Sequence, residues 1–201
     1  MPQEIERKFL TRDTSWKALA EGKYYRQGYI DADADTAVVL TDRQLIVRQL
    51  DLEIGFDVPE ADVAAMRGHF NPDAAGRLDP ETCTPRIRVV GDMGFLTLKT
   101  KTVGISRVEY EYEIPQNHAM ALLDLVCAKP QIQKYRYKIP HAGLVWEVDE
   151  FLAENAGLVM AEVELTTADQ AVELPDWIGT EVSDDARYFN SQLAKRPFTT
   201  W

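Results

Sequence analysis

Cysteine and histidine are scarce in this chain. Cys83 and Cys127 stand alone, and the three histidines (His69, His118, His141) are scattered without metal-ligand spacing. That removes a disulfide framework from consideration. Long apolar runs are also missing. No stretch of about 18 apolar residues occurs, and no basic-then-apolar segment precedes the charged EIERK start. A cytoplasmic protein with no membrane contact is therefore expected. Basic charge is in deficit too: the net charge of −11 argues against non-specific binding to nucleic acid, which needs a basic surface. A small anionic ligand stays open, because a local cluster can invert the global sign.

What is present is ordinary globular material. Hydrophobic residues make up 45% and charged residues 27% of 201 residues, enough for one well-packed domain and short for two. No low-complexity linker divides the chain, so a single domain over 1–201 is expected.

Strand signals dominate. EIERKFL (4–10) alternates, and a polar helical stretch, TSWKALAEG, ends at Gly22 before a second strand, YYRQGYI (24–30). PRIRVV (85–90) and GFLTLKTK (94–101) flank a tight Gly-Asp-Met-Gly turn and read as a hairpin. SRVEYEYEI (106–114) alternates until Pro115, and NHAMALLDLV (117–126) has helical apolar spacing. IQKYRYKI, LVWEVDEF and LVMAEVEL follow as strands, and DDARYFNSQLAKRPF reads as a helix up to Pro197.

Sorting these strands by face, with the period of two, gives an unusual pattern. Arg86 and Arg88 share one face, as do Lys99 and Lys101, and as do Glu109, Glu111 and Glu113. Lys134, Arg136 and Lys138 share another; Glu147 pairs with Asp149, and Glu162 with Glu164. Each charged face is nearly pure in sign, with apolar residues opposite. A solvated face would mix acids and bases, since like charges directly opposed across a sheet destabilise it. The faces read instead as the lining of an interior. About eight antiparallel strands can close into a barrel with a lumen. Arg and Lys suit a multiply charged phosphate chain, and clustered carboxylates suit a hard divalent cation such as Mg²⁺ or Mn²⁺. On this reading Glu4, Glu6 and Lys8 of the first strand face inward.

The set resembles the CYTH superfamily of triphosphate tunnel metalloenzymes. The Glu-x-Glu-x-Lys signature is present as Glu4, Glu6 and Lys8, and it is joined by RIR (86–88), the lysine of TLK (Lys99), SRVEYE, QKYRY, WEVDEF and AEVEL. The similarity is greatest to the bacterial branch that begins EIERKFL. It implies an α+β fold, a closed antiparallel β-barrel with flanking helices, and metal-dependent hydrolysis of inorganic triphosphate to pyrophosphate and phosphate. Other branches are thiamine triphosphatases and class IV adenylate cyclases, and a non-catalytic polyphosphate-binding module is a further alternative. Carried over by residue, the resemblance implies that Lys8, Arg86, Arg88, Lys99, Lys134 and Arg136 bind the phosphate chain, with Arg26, Arg187 and Lys195 as lesser candidates. It implies Glu4, Glu6, Glu162 and Glu164 as ligands for Mg²⁺ or Mn²⁺. Glu109, Glu111 and Asp149 are implied to support a second metal or the attacking water.

Residues about 31–84 look like an insert in that pattern, far longer than a hairpin link. TAVVLTDRQLIVRQL reads as a hairpin, and VPEADVAAMRGHF as a helix after Pro59. LDLEIGFDVPEADVAAM parallels SRVEYEYEIPQNHAMAL: strand, proline, apolar helix. The expectation is an added ββα lobe whose removal leaves the charged faces assembled. It would cover one end of the tunnel or pair across a homodimer interface.

Overall fold

The computed structural model describes the backbone of residues 3–33, 35–101 and 106–201; the side chains of residues 3, 4, 106 and 107 lie outside the described set. The class is α+β, with antiparallel strands and few helices. In chain order the strands are β1 (Gln3–Thr11), β2 (Gly22–Tyr29), β3 (Thr36–Leu40), β4 (Gln44–Gln49), β5 (Leu52–Asp57) and β6 (Thr84–Val90). They continue as β7 (Met93–Lys99), β8 (Ser106–Ile114), β9 (Ile132–His141), β10 (Leu144–Phe151), β11 (Val159–Glu164) and β12 (Ile178–Glu181). The α-helices are α1 (Glu60–Phe70), α2 (Gln116–Leu125) and α3 (Asn190–Leu193). No helix among the described residues is long and apolar enough to cross a membrane.

The described residues divide into two compact units. The first holds the N-terminal segment to Gln27 and the stretch from Lys129 to Trp201. Its strands pair antiparallel in the order β12, β1, β11, β10, β9, β2. Period-two alternation gives the sheet two different faces. Ile5, Phe9, Trp146, Val148, Ala161 and Val163 project to one side and form a core with Trp16, Trp177 and Ile178. Trp146 stacks at its edges on Phe9 and Trp177, with ring centroids 5.5 and 5.9 Å apart. Each such fully buried side chain contributes roughly 1.5–3 kcal/mol, so this side is fixed as the apolar packing face. The residues between them, Glu6, Lys8, Glu147, Asp149 and Glu162, are thereby forced to the other face.

The second unit holds Gly28–Lys101 and Val108–Ala128. It contains two three-stranded antiparallel meanders, β3-β4-β5 and β6-β7-β8. Each ends in a proline that caps a helix: Pro59 before α1 and Pro115 before α2, both extended at ψ 136° and 132°. Proline fits there because the first helical N–H groups have no intrahelical partner. The β6–β7 hairpin turns through Gly91 at φ +57°, with Val90 opposite Met93. At Gly94 a side chain would meet Ala119 Cβ at 2.6 Å, so glycine lets α2 lie directly on β7.

Three expectations change. The 31–84 segment is a three-stranded sheet plus helix, and it is not an appendage. Its Val38, Leu40, Leu45, Val47, Phe56, Met66 and Phe70 share one hydrophobic core with Ile87, Leu96, Leu98, Tyr110, Ile114 and Leu122. The C-terminal stretch is not one helix. It runs as a 3₁₀ turn at Ala186–Tyr188, an extended Phe189 and the single turn of α3, pinned where buried Asn155 donates to the Leu193 carbonyl and accepts from Phe198 N–H. The helical reading of TSWKALAEG shrinks to a 3₁₀ segment, Ser15–Ala18, closed against Asp13, whose carboxylate accepts from the Ser15 N–H and hydroxyl.

Candidate functional site

The charged face of the first unit is withdrawn from water. Lys8 is 5% exposed, Lys134 2%, Glu162 7% and Asp149 0%. Charges this deep are retained only when paired and hydrogen-bonded, and a well-packed apolar set would often be as stable. That burial therefore points to function.

The pairing follows from register. Lys8 stands opposite Glu162, Glu147 opposite Glu162, and Arg136 opposite Asp149. The Lys8 ammonium donates to Glu162 Oε1 at 2.6 Å and to Glu6 Oε1 at 2.7 Å. Arg136 is the hub: Nε and Nη2 donate to the two Asp149 oxygens at 2.6 and 2.5 Å, Nη2 also donates to Glu162 at 2.7 Å, and Nη1 donates to Glu147. Lys134 donates to Asp149 Oδ2 at 2.5 Å. Aromatic rings flank the bases, Tyr25 under Arg136 at 5.6 Å, Phe151 under Lys134 at 5.4 Å and Phe189 under Lys8 at 5.9 Å.

These contacts set the titration behaviour. Burial works against the charge of Lys8, but the facing Glu162 and Glu6 outweigh it and raise its pKa. Burial also opposes the Glu162 carboxylate, yet Lys8, Arg136 and Lys134 hold it well below the usual carboxylate range. Lys134 goes the other way. Burial, then the charge of Arg136, push it down to about 8 despite Asp149.

A second set lies on β6, β7 and β8. Arg86, Thr97 and Glu111 are cross-strand neighbours, and Lys99 stands opposite Glu109. Lys99 donates to Glu109, and Arg88 Nη2 donates to both Glu111 oxygens at 2.8 Å. Arg86 Nη2 reaches Thr97, Glu109 and Glu111 at 3.2, 3.4 and 3.2 Å. The fully buried Thr97 hydroxyl donates to Glu111 at 2.9 Å. Among the described residues the buried Arg86 Nε has no hydrogen-bond acceptor, which is costly for a guanidinium N–H and suits an anionic ligand.

Sign-pure strands thus lie beside strands of opposite sign, basic β9 against acidic β10 and basic β7 against acidic β8, with basic β6 on the other side of β7. Among the described residues three like-charge pairs break this rule, Glu6 opposite Glu164, Glu147 opposite Glu162 and Lys23 opposite Arg136. Direct opposition of carboxylates destabilises a sheet unless a cation relieves it. For Glu147–Glu162 that cation is Arg136. No group of three His, Cys, Asp or Glu side chains stands ready to hold a metal among the described residues. The donor chemistry nonetheless fits a hard divalent cation, since every candidate offers carboxylate oxygen.

Several sequence-derived candidates stand apart. Arg26 occupies the face of β2 opposite to Lys134 and Arg136, with Nε donating to Gln131 at 2.9 Å. Arg187 is exposed and paired with Asp185 at 2.6 Å. Lys195 is exposed beyond α3. Glu164 is exposed at the end of β11 but stays on the charged face, opposite Glu6. The Glu4 side chain lies outside the described residues. Two participants carry no role in the sequence reading, Glu147 and Thr97. Glu147 shares a face with Asp149, so the period-two signal for it was present. Thr97 sits two residues before Lys99, but an uncharged side chain gave no signal.

The CYTH domain model matches residues 82–196, and the chain belongs to the CYTH domain family. Among its relatives, it is 40% identical over 198 residues to the inorganic triphosphatase of Acetivibrio thermocellus, covering 98% of this chain and 97% of that protein. The inorganic triphosphatase of Nitrosomonas europaea is 37% identical over 113 residues, covering 54% of this chain and 73% of that protein. A crystal structure of an inorganic triphosphatase matches with a TM-score of 0.55 at 25% identity, covering 94% of this chain and 96% of the other. The near-complete match to the Acetivibrio protein takes in the 31–84 region, so that segment is not peculiar to this chain.

Proposed function

We propose that this protein is an inorganic triphosphatase that cleaves tripolyphosphate to pyrophosphate and phosphate with a divalent cation, Mg²⁺ or Mn²⁺. The observation that carries this reading is the buried charged face: Lys8, Lys134 and Arg136 held by Glu6, Asp149, Glu147 and Glu162 on a sheet whose other side is apolar core. The 40% identity to an inorganic triphosphatase over nearly the whole chain supports it. Closure of the strands into a barrel around the phosphate chain belongs to the proposal and is supported by the family resemblance.

In the proposed reaction the phosphate chain takes over the donors that the carboxylates now occupy. Lys8, Lys134 and Arg136 neutralise its charge, and the family resemblance assigns phosphate binding to Arg86, Arg88 and Lys99 as well. The cation, when bound, would polarise phosphoryl oxygens as a Lewis acid. Glu4, Glu6, Glu162 and Glu164 would hold it. Glu162 has its two oxygens committed to Lys8 and Arg136, so drawing those bases onto an anion frees the carboxylate. By the same resemblance, Glu109, Glu111 and Asp149 would support a second metal or the water that attacks the terminal phosphorus in line. Substituting Asp149→Asn tests the role of this buried acceptor: turnover should fall with tripolyphosphate binding retained, and unchanged turnover would remove Asp149 from the chemistry.

A further inference from the structure

Strand β8 carries Glu109 and Glu111 on one face and Tyr110 and Tyr112 on the other. Both tyrosines meet the same helix. The Tyr112 hydroxyl donates to Asp62 Oδ2 at 2.8 Å. The Tyr110 hydroxyl lies 2.9 Å from His69 Nδ1, and its ring packs edge-on against Phe70 at 5.8 Å. Asp62 and His69 are two turns apart on α1, which places them on one side of the helix. The pairs run in opposite directions along the two elements, Asp62 with Tyr112 and His69 with Tyr110.

We propose that α1 is a positional clamp on β8, with Asp62 and His69 acting as positioning residues for the Glu109 and Glu111 carboxylates on the far face. Apolar packing is non-directional and would let a strand slide beneath a helix. Two hydrogen bonds at separate points along the strand fix where it sits. Phenylalanine would fill the same volume without needing a partner, so part-buried hydroxyls that are both satisfied point to specificity rather than to packing alone. Burial, and at Tyr112 the bond to Asp62, raise both phenol pKa values, so both hydroxyls stay protonated and able to donate. The far-face carboxylates organise Arg86, Arg88 and Lys99, so a displaced β8 would loosen that entire basic set. The 31–84 segment thereby gains a role in the site, because it supplies the helix that holds the acidic strand.

The link to turnover rests on the triphosphatase reading, but the clamp itself is measurable without substrate. Hydrogen exchange over residues 108–114 is compared in wild type, Tyr112→Phe, Asp62→Ala, Asp62→Asn and Val63→Ala. Val63 is buried on the same helix, so Val63→Ala is a packing control that loses stability without touching either hydroxyl. Loss of one net hydrogen bond predicts exchange in β8 faster by about fivefold in Tyr112→Phe and Asp62→Ala. Asp62→Asn keeps an acceptor oxygen and should retain wild-type exchange, and Val63→Ala should not single out β8. The affinity for tripolyphosphate should fall in step with β8 protection. Wild-type exchange in Tyr112→Phe and Asp62→Ala, or equal loss of β8 protection in Val63→Ala, overturns the clamp. A wild-type protein that fails to bind tripolyphosphate sinks the triphosphatase reading, while the exchange data still decide the clamp.

Discussion

Lys134 donates to Asp149 at 2.5 Å across neighbouring strands, with both side chains withdrawn from water. Asp149 also takes two hydrogen bonds from Arg136. Burial opposes the charge of both Lys134 and Lys8. Lys134 shares its carboxylate with a permanent cation whereas Lys8 faces Glu162 and Glu6, so Lys134 is the base with a depressed pKa.

That relationship predicts a pH dependence. Lys134 falls from 10.5 to about 8 in the folded chain, so above pH 8 the free protein loses one positive charge from the site. Tripolyphosphate affinity should decline through pH 8 to 9.5, and Lys134→Arg should flatten that decline. For stability the sign is opposite. The unfolded chain binds more protons between about pH 8 and 10.5, so this group alone makes stability rise with pH over that window. Calorimetric titration across pH 7–9.5 checks the first point, and thermal melts check the second.

Glu6 stands directly opposite Glu164. If the pair serves a cation, Glu6→Gln and Glu164→Gln should each lower turnover by about 10–100-fold or more. Near-normal rates at saturating Mg²⁺ would take both residues out of the metal site.

Arg88 donates to Glu111 within the second basic set, whereas Arg12 is exposed just beyond β1. Arg88→Ala should weaken tripolyphosphate binding by about 1.5–3 kcal/mol, the worth of one charge-assisted contact. Arg12→Ala should leave it unchanged. Equal affinities would reject the face assignment.

Much of this was legible in the chain because alternation is local. Pro115 and the run Glu109–Glu111–Glu113 define β8 and its charged face without any knowledge of its neighbours. Pairing is not local, and a single strand carries little sign of it. Nothing in WEVDEF or AEVEL states that Glu147 opposes Glu162, or that Arg136 would be the hub between them. Arg26 was a candidate by charge, yet its own period placed it with Tyr24 and away from Tyr25, whose ring lies under Arg136. The C-terminal segment has helical composition, but Phe189 is extended and the chain is pinned by Asn155 at Leu193 and Phe198, so tertiary contacts override propensity. The 31–84 segment was readable as strands and a helix; that its apolar side completes the core of β6, β7, β8 and α2 was not, since a shared core is a property of contacts.

Deletion of 31–84 tests that last point. Excision would strip Ile87, Leu96, Leu98, Tyr110 and Ile114 of their partners and expose apolar area worth several buried side chains, each roughly 1.5–3 kcal/mol. The product should be insoluble or lack a cooperative melt. A soluble, cooperatively melting deletion protein would restore the added-lobe description.

Whether the buried charged face serves triphosphate hydrolysis is decided by a phosphate-release panel. It covers tripolyphosphate, thiamine triphosphate, ATP and longer polyphosphate, each with Mg²⁺ and with Mn²⁺. Tripolyphosphate should be hydrolysed fastest, with phosphate and pyrophosphate formed in equal amounts and no turnover after chelation. Faster turnover of thiamine triphosphate, conversion of ATP to a cyclic nucleotide, or tight tripolyphosphate binding without hydrolysis in either metal would contradict the triphosphatase reading.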